Sequence, residues 1–262
     1  MSNPHIPPEI LDHVVDHLHD AQDTLRNCCL VSKSWIPRTR KHIFANVKFQ
    51  VVEDARSWKK TFPSPGNSPA RYAKTLYFGL HIVSAADVEV GGFIRGFSHV
   101  ESLEMDSQGL FRSRSSSLAP FHGFSPAVIS LRMTFTDLPP PWIFDLILSF
   151  PLLKDLAVTI DTMSTANGDS SEDAPATAQS SRLPMFTGSL ELHLKGGMKH
   201  FIRRLLSLPG GIRFQKLTLT WYYEGDLSLI MALVEECHHT LESLNITWAL
   251  FRKSILHVRP HQ

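Results

Sequence analysis

Two histidines, His13 and His17, are one helical turn apart, a spacing that could bring two imidazole nitrogens to one metal ion. His19 follows close behind them. A metal site needs at least one further ligand, and no His-Glu-x-x-His pattern accompanies the pair. We therefore interpret these histidines as part of a solvated helix face and predict no metal ligand here.

The cysteines limit the chemistry further. Cys28 and Cys29 are adjacent and Cys237 is distant, so the three form neither a disulfide framework nor a Cys-x-x-Cys pair. This usage indicates a reducing compartment. Cys28 and Cys29 also fall on an apolar helix face, which favours small core side chains over a reactive thiol.

The remaining short patterns also favour structural readings over chemistry. His238 and His239 end a predicted helix, where cationic side chains suit the helix dipole. The sequon Asn245-Ile246-Thr247 lies within a predicted strand, and the basic run at 38–42 is typical of a helix surface rather than a nuclear-import signal. No P-loop, Gly-x-Ser-x-Gly or Gly-x-Gly-x-x-Gly pattern occurs. The sequence predicts no enzyme, no catalytic residue and no cofactor.

Composition narrows the choice of partners. The 262 residues carry 26 Lys and Arg against 25 Asp and Glu, so no global basic field exists to hold nucleic acid or an anionic membrane. No apolar run reaches the roughly 18–20 residues of a membrane span. The first residues do not resemble a secretory signal. We expect a protein without nucleic-acid or membrane partners, located in the cytoplasm, the nucleus or both.

An apolar-x-x-apolar-x-apolar pattern recurs along the chain. Its central residues are Val47, Leu76, Leu103, Leu131, Leu156, Leu190, Leu217 and Leu244, spaced 25 to 34 residues apart. The residue two positions later is apolar in all eight copies. Of the 24 residues at −1, +1 and +3, only Tyr77 and Ala157 are apolar, whereas the 43% apolar composition would give about ten. Each copy is therefore predicted to be a short strand with one buried and one wetted face.

Helix-like connectors separate these strands. Apolar residues recur at helical spacing in 53–62, 85–97, 142–150, 198–208 and 226–240. Two stretches lack this periodicity: 107–126 is predicted to be a loop, and 161–182, rich in Ser, Thr, Ala and Asp, a disordered insertion. Strands that alternate with helices at this spacing predict a parallel sheet with crossover connections.

The LxxLxL pattern resembles that of leucine-rich repeats over residues 44–249. One column departs from that family, because Asn or Cys is not repeated three residues past the last Leu. Residues 44–262 are thus expected to form an irregular α/β leucine-rich-repeat solenoid of about eight strand units with a curved parallel sheet.

The N-terminal segment has helical periodicity instead. Ile10, Leu11, Val14, Val15 and Leu18 form one apolar stripe after a Pro-Pro start. A second helix is predicted to begin at an Asp23 N-cap and to run to Trp35, and a third to open at Pro37. So small a helical unit is marginal alone and needs a partner or the first repeat to pack on.

This order of residues resembles the F-box: Ile6-Pro7 with Leu11, Leu18 and Leu25, then Val31-Ser32-Lys33-Ser34-Trp35. With the repeats behind it, the chain as a whole resembles a fungal-type F-box and leucine-rich-repeat substrate receptor. The predicted fold class is α+β with repeats, a small all-α three-helix F-box at 1–43 followed by the solenoid at 44–262. The resemblance implies docking on the Skp-type adaptor of a cullin (SCF) ubiquitin ligase through Ile6, Pro7, Pro8, Ile10, Leu11, Leu18, Leu25, Val31 and Trp35. Some of these side chains are expected to face the core of the helical unit instead, and the sequence does not sort them.

Under this hypothesis, the repeats hold an unknown protein substrate and the chain performs no chemistry itself. The alternative is a repeat scaffold outside any ligase, whose N-terminal helices only cap the solenoid. The outward strand positions form the expected substrate surface, with Tyr77, Glu104, Arg132, Glu191 and His193 as the larger anchors. Trp221 and Trp248 follow the last two strands; strict alternation predicts core packing, and a bend would turn both toward the rim.

Overall fold

The structure is a computed structural model with one sheet and a helical N-terminal segment. It describes residues 7–79, 94–107, 124–136, 143–161, 186–194, 198–208, 210–221 and 227–248. The predicted helix at 85–97, the loop at 107–126 and the insertion at 161–182 therefore lie largely or wholly outside the described residues. Within the described ranges, no helix combines the length and apolar character that a membrane crossing requires.

Three α-helices open the chain, as predicted: α1 is Pro8–His17, α2 Gln22–Val31 and α3 Ile36–Ile43. Proline at the first turn suits α1 and α3, because a proline there sacrifices no intrahelical hydrogen bond. The predicted Asp23 N-cap is wrong. Ala21 occupies the N-cap of α2 without a side-chain hydrogen bond, and the Asp23 carboxylate instead accepts a 3.0 Å hydrogen bond from Arg26.

The prediction of one helix up to Trp35 is also wrong. Helix α2 ends at Val31, because Ser32 is extended (φ −151°, ψ 141°) and its hydroxyl accepts a 3.3 Å hydrogen bond from the backbone N–H of Ser34. Serine competes in this way with helical hydrogen bonding, and here it starts a separate 3₁₀ turn, Lys33–Trp35.

The eight predicted strands form a single parallel sheet in chain order. Their bounds are β1 Asn46–Phe49, β2 Thr75–Gly79, β3 Ser102–Ser107, β4 Ser130–Phe135, β5 Asp155–Ile160, β6 Ser189–Leu194, β7 Lys216–Trp221 and β8 Ser243–Trp248. Each central apolar residue pairs with the corresponding residue of the next strand, from Val47↔Leu76 to Leu217↔Leu244. The sequence columns are thus the register of the sheet.

Connecting helices cover one face of this sheet. Their bounds are α4 Val52–Thr61, α5 Ile143–Leu148, α6 Met198–Leu206 and α7 Leu227–Cys237, which confirms four of the predicted connectors. The central apolar column is buried from Val47 to Leu217, and burying each such side chain stabilises the fold by about 1.5–3 kcal/mol. Phe49 and Phe78 extend this core at the first two strands, where Trp58 of α4 contacts Phe49 edge-on at 5.6 Å.

The last strand departs from the prediction of one buried face. Leu244 is 45% exposed and Ile246 is 46% exposed, although both belong to the inward columns. Strand β8 pairs with β7 alone among the described strands, and it is the last described element, so no described helix follows it to cover these side chains.

Candidate interaction surfaces

The outward face of the sheet is a regular polar surface. Parallel pairing in register brings one residue from each strand into a continuous row. This row consists of Lys48, Tyr77, Glu104, Arg132, Ala157, Glu191, Thr218 and Asn245. All five predicted substrate anchors lie on this face, on strands β2, β3, β4 and β6, so the structure brings them onto one surface.

Tyr77 is anchored at one end of this row. Its hydroxyl donates a 2.9 Å hydrogen bond to Oδ2 of Asp106, and the Lys48 ammonium lies 4.5 Å from the ring centroid, within cation–π range. Burial, followed by the hydrogen bond to Asp106, raises the pKa of Tyr77 to about 12. Oδ1 of Asp106 is buried and has no hydrogen-bond partner in the described part of the chain. Tyr77 is thus a fixed, neutral ring rather than a mobile anchor.

A second group lies at the centre of the face. Glu191 accepts a 2.6 Å hydrogen bond from Nε2 of His193, and Nη2 of Arg132 lies 3.5 Å from its other carboxylate oxygen. Glu104 is opposite Arg132 in the register but forms no ion pair with any described residue. Arg132, Glu191 and His193 therefore act as one unit, and Glu104 is separate from them.

Lys48 and Asp106 were not among the predicted anchors, although both occupy outward columns. Both side chains contact Tyr77 from neighbouring strands. The aligned sequence columns could have indicated these contacts, because Lys48 aligns with Tyr77 and Asp106 is two residues after Glu104. Trp221 and Trp248 are paired in register by their backbones. Their side chains lie outside the described part of the structure, so the choice between core and rim stays a prediction.

The N-terminal helices carry exposed apolar side chains. Ile10 is 55% exposed and Val14 is 48% exposed, one turn apart on α1; Leu30 and Val31 at the end of α2 are 85% and 70% exposed. Burying such side chains against a partner is favourable, so the pair on α1 and the pair on α2 each mark a candidate docking position. We call these four residues the apolar docking patch.

The predicted adaptor contacts separate into three groups. Pro7, Pro8, Ile10 and Val31 are exposed, and Leu11, Leu18 and Trp35 are half-buried. Leu25 is completely buried, so it is one of the residues in this set that face the core rather than a partner. Ile6 lies outside the described residues. The F-box resemblance did not single out Val14 and Leu30, although helical periodicity already placed Val14 on the apolar stripe of α1.

A polar cluster joins α1 to α3. Asp16 accepts a bidentate interaction from Arg38, with Nε at 2.6 Å from Oδ1, and a 2.7 Å hydrogen bond from Nε2 of His42. The hydrogen bond from Arg38, followed by that from His42, holds the pKa of Asp16 well below its usual value. Buried Thr39 donates to the carbonyl of Trp35 at 2.8 Å, and its Oγ1 lies 2.9 Å from Sγ of Cys29.

The histidines and cysteines whose side chains could do chemistry lie in simple environments. The rings of His13 and His17 lie 4.4 Å apart on an exposed face, and no group of three or more potential metal ligands occurs among the described residues. Cys28 and Cys237 are buried, and burial raises the pKa of the Cys237 thiol. Buried thiols of this kind are unreactive.

Comparison with protein-family models, with curated proteins and with solved structures found no match for this chain. The sequence and the geometry of these surfaces are therefore the basis for assigning a role.

Proposed function

We propose that this chain is the substrate-recognition subunit of an SCF-type ubiquitin ligase, with an F-box at 1–43 and a leucine-rich-repeat-like receptor region at 44–262. The observation that carries the proposal is the apolar docking patch. Ile10, Val14, Leu30 and Val31 are on the segment whose residue order resembles the F-box, and large apolar side chains left this exposed on two helices support a role in binding a partner.

The sheet supports the receptor half of the proposal. Eight strands in constant register present a polar outward row, and such surfaces differ between proteins of one architecture through side chains alone. The protein performs no chemistry in this role. It holds a bound substrate near the transferring enzyme and so raises the effective concentration of that substrate there.

One contact favours the alternative of a repeat scaffold with a helical cap. Helix α3 packs against the 3₁₀ turn Pro69–Tyr72, which immediately precedes β2, so the helical segment contacts the sheet region directly. A capping segment would make this contact, and it would have no need of the exposed apolar side chains of the docking patch. The two roles are therefore distinguished by whether the patch binds the adaptor.

Co-expression of the full chain with a Skp-type adaptor tests the choice. We expect the two proteins to co-purify as a stoichiometric complex that survives size-exclusion chromatography. A chain that is folded by circular dichroism, yet elutes without the adaptor, would favour the scaffold.

A further inference from the structure

A groove runs along the outer edge of the sheet, far along the row from Glu191. It is a cavity of about 340 Å³ between β1 and α4. Asn46 and Lys48 line its strand side, while Asp54, Ser57 and Trp58 of α4 line its helix side. No residue of β2 contributes to it, so the groove lies on the side of β1 that faces away from the sheet.

The backbone of β1 faces this groove with unused pairing capacity. Among the described strands, β1 pairs with β2 alone. The carbonyl of Ala45 accepts hydrogen bonds from the backbone N–H groups of Lys74 (2.8 Å) and Thr75 (2.9 Å), so it points toward β2. Because successive residues of a strand point their backbone polar groups to opposite edges, those of Asn46 and Lys48 point into the groove.

Gln50 is the next residue whose backbone N–H points to the groove side, and this donor is paired. Its N–H donates a 2.7 Å hydrogen bond to Oδ2 of Asp54, on the opposite wall. Gln50 follows the last residue of β1, and the same Asp54 oxygen also accepts from the N–H of Val51 at 3.1 Å, so this donor is satisfied by the capping of α4. The edge at Asn46 and Lys48 offers the same kind of group to a ligand.

The two ends of the groove have different chemistry. At one end Phe44, Trp58 and Phe62 are half-buried and mutually packed, with ring centroids 4.9 to 5.9 Å apart. At the other end Asp54 has no cationic partner among the described residues, because the ammonium of Lys48 lies over the Tyr77 ring instead. From Asp54 to Thr61 the helix advances about 10 Å, which is the length of about three strand residues.

We propose that this groove binds an extended peptide segment of a partner protein, which adds a strand to the free edge of β1. Backbone hydrogen bonds to Asn46 and Lys48 would supply affinity, as in other cases of strand addition to a sheet edge. The charge and shape of the groove define the segment: a large apolar side chain packs at the Phe44 end, and a Lys or Arg side chain faces the Asp54 carboxylate. This site is separate from both the apolar docking patch and the Glu191 cluster.

The test uses the full chain and a library of nine-residue peptides displayed on phage. Selected peptides are synthesised and their dissociation constants measured by fluorescence anisotropy. We expect the binders to combine a large apolar residue with Lys or Arg. Lys48→Pro removes one outward N–H from an edge strand, where proline is tolerated, and should weaken binding at least tenfold. The matched control Lys48→Ala keeps the N–H and should change binding less than threefold.

A second variant protects the test against misfolding of Lys48→Pro. Ser57→Arg fills the groove from an exposed helix position and should also weaken binding at least tenfold, whereas Ser57→Ala should not. Selection of no peptide that binds, or equal affinity for the wild type and both groove variants, would overturn the proposal. A dimer in light scattering that Lys48→Pro dissociates would also overturn it, because a second copy of the chain would then occupy the edge.

Discussion

Arg132 on β4 interacts with Glu191 on β6, although β5 lies between them. Nη2 of Arg132 is 3.5 Å from Oε2 of Glu191, and the residue between them in the register is Ala157. Two strand spacings amount to about 10 Å, so only a long side chain passing over a small one can close the gap. Ala157 is one of only two apolar residues in the outward columns, and this contact gives it a structural role.

The first prediction concerns the energy of this contact. Arg132 is about half exposed, so solvent screens the pair and we expect a coupling energy of about 0.2–1 kcal/mol. A double-mutant cycle with Arg132→Ala and Glu191→Ala, measured by urea unfolding, gives this value directly. Thr218→Ala, in the same row, serves as a partner for a control cycle with Arg132→Ala and should show no coupling. A coupling above 2 kcal/mol would mean that the pair is buried in solution.

The second prediction concerns Tyr77. Its phenol should ionise near pH 12, which the difference in ultraviolet absorbance between the wild type and Tyr77→Phe would show. Because the folded-state pKa is raised, the neutral phenol stabilises the fold fully below pH 10, and this contribution is lost between pH 10 and 12. Asp106→Asn removes the negative charge from the group that accepts the Tyr77 hydrogen bond, so it should lower the pKa of Tyr77 more than the control Glu104→Gln, whose charge acts without a hydrogen bond. Ionisation of Tyr77 near pH 10 in the wild type would contradict the buried geometry.

The third prediction concerns the junction of α1 and α3. Asp16 has a lowered pKa, so its charged form stabilises the fold at neutral pH, and that stabilisation declines as the pH falls below about 4. Asp16→Asn should therefore lower the melting temperature at pH 7, and the difference from wild type should shrink in acid. Glu9→Gln, an exposed position on the same helix, is the control. Equal melting temperatures of wild type and Asp16→Asn at pH 7 would show that the junction is not stabilising.

The fourth prediction concerns a close approach between two strands. A Cβ atom at Gly188 would lie 2.8 Å from Oδ1 of Asp155 and 2.8 Å from the carbonyl oxygen of Lys154. Asp155 cannot move freely, because Oδ1 accepts hydrogen bonds from both the backbone N–H (2.9 Å) and the hydroxyl (2.7 Å) of Ser189. Gly188→Ala should destabilise the fold by about 1–3 kcal/mol in urea unfolding. Gly66→Ala, where the nearest atom is 4.0 Å away, should stay within about 0.5 kcal/mol of wild type.

Much of the sheet could be predicted from the sequence, because the signal is repeated. A single alternating segment does not identify a strand unambiguously. Eight copies, aligned on central residues such as Leu103 and Leu217, define both the strands and their pairing. The prediction failed where a local interaction competed with the pattern. Ser32 ends α2 through one side-chain hydrogen bond, which the apolar periodicity of the sequence does not indicate.

The candidate surfaces were less predictable for a different reason. A column position tells which face a residue occupies, but not which neighbour it contacts. Arg132 could have paired with Glu104 directly opposite, and it reaches Glu191 because Ala157 leaves space. Likewise, the F-box-like pattern does not separate Leu25, which is buried, from Leu30, which is exposed, since both are apolar residues of one helix.

The central claim is that the apolar docking patch binds a Skp-type adaptor, and the affinity of patch variants tests it most directly. Ile10→Ser with Leu30→Ser removes two exposed side chains, worth about 3 kcal/mol in a buried interface, so the dissociation constant should rise 100-fold or more. Leu152→Ser changes a leucine between α5 and β5 that is as exposed as Ile10, and it should leave the dissociation constant unchanged. Calorimetry on the full chain should give this pattern. Tight adaptor binding by the folded double variant, or none by the wild type, would contradict the account.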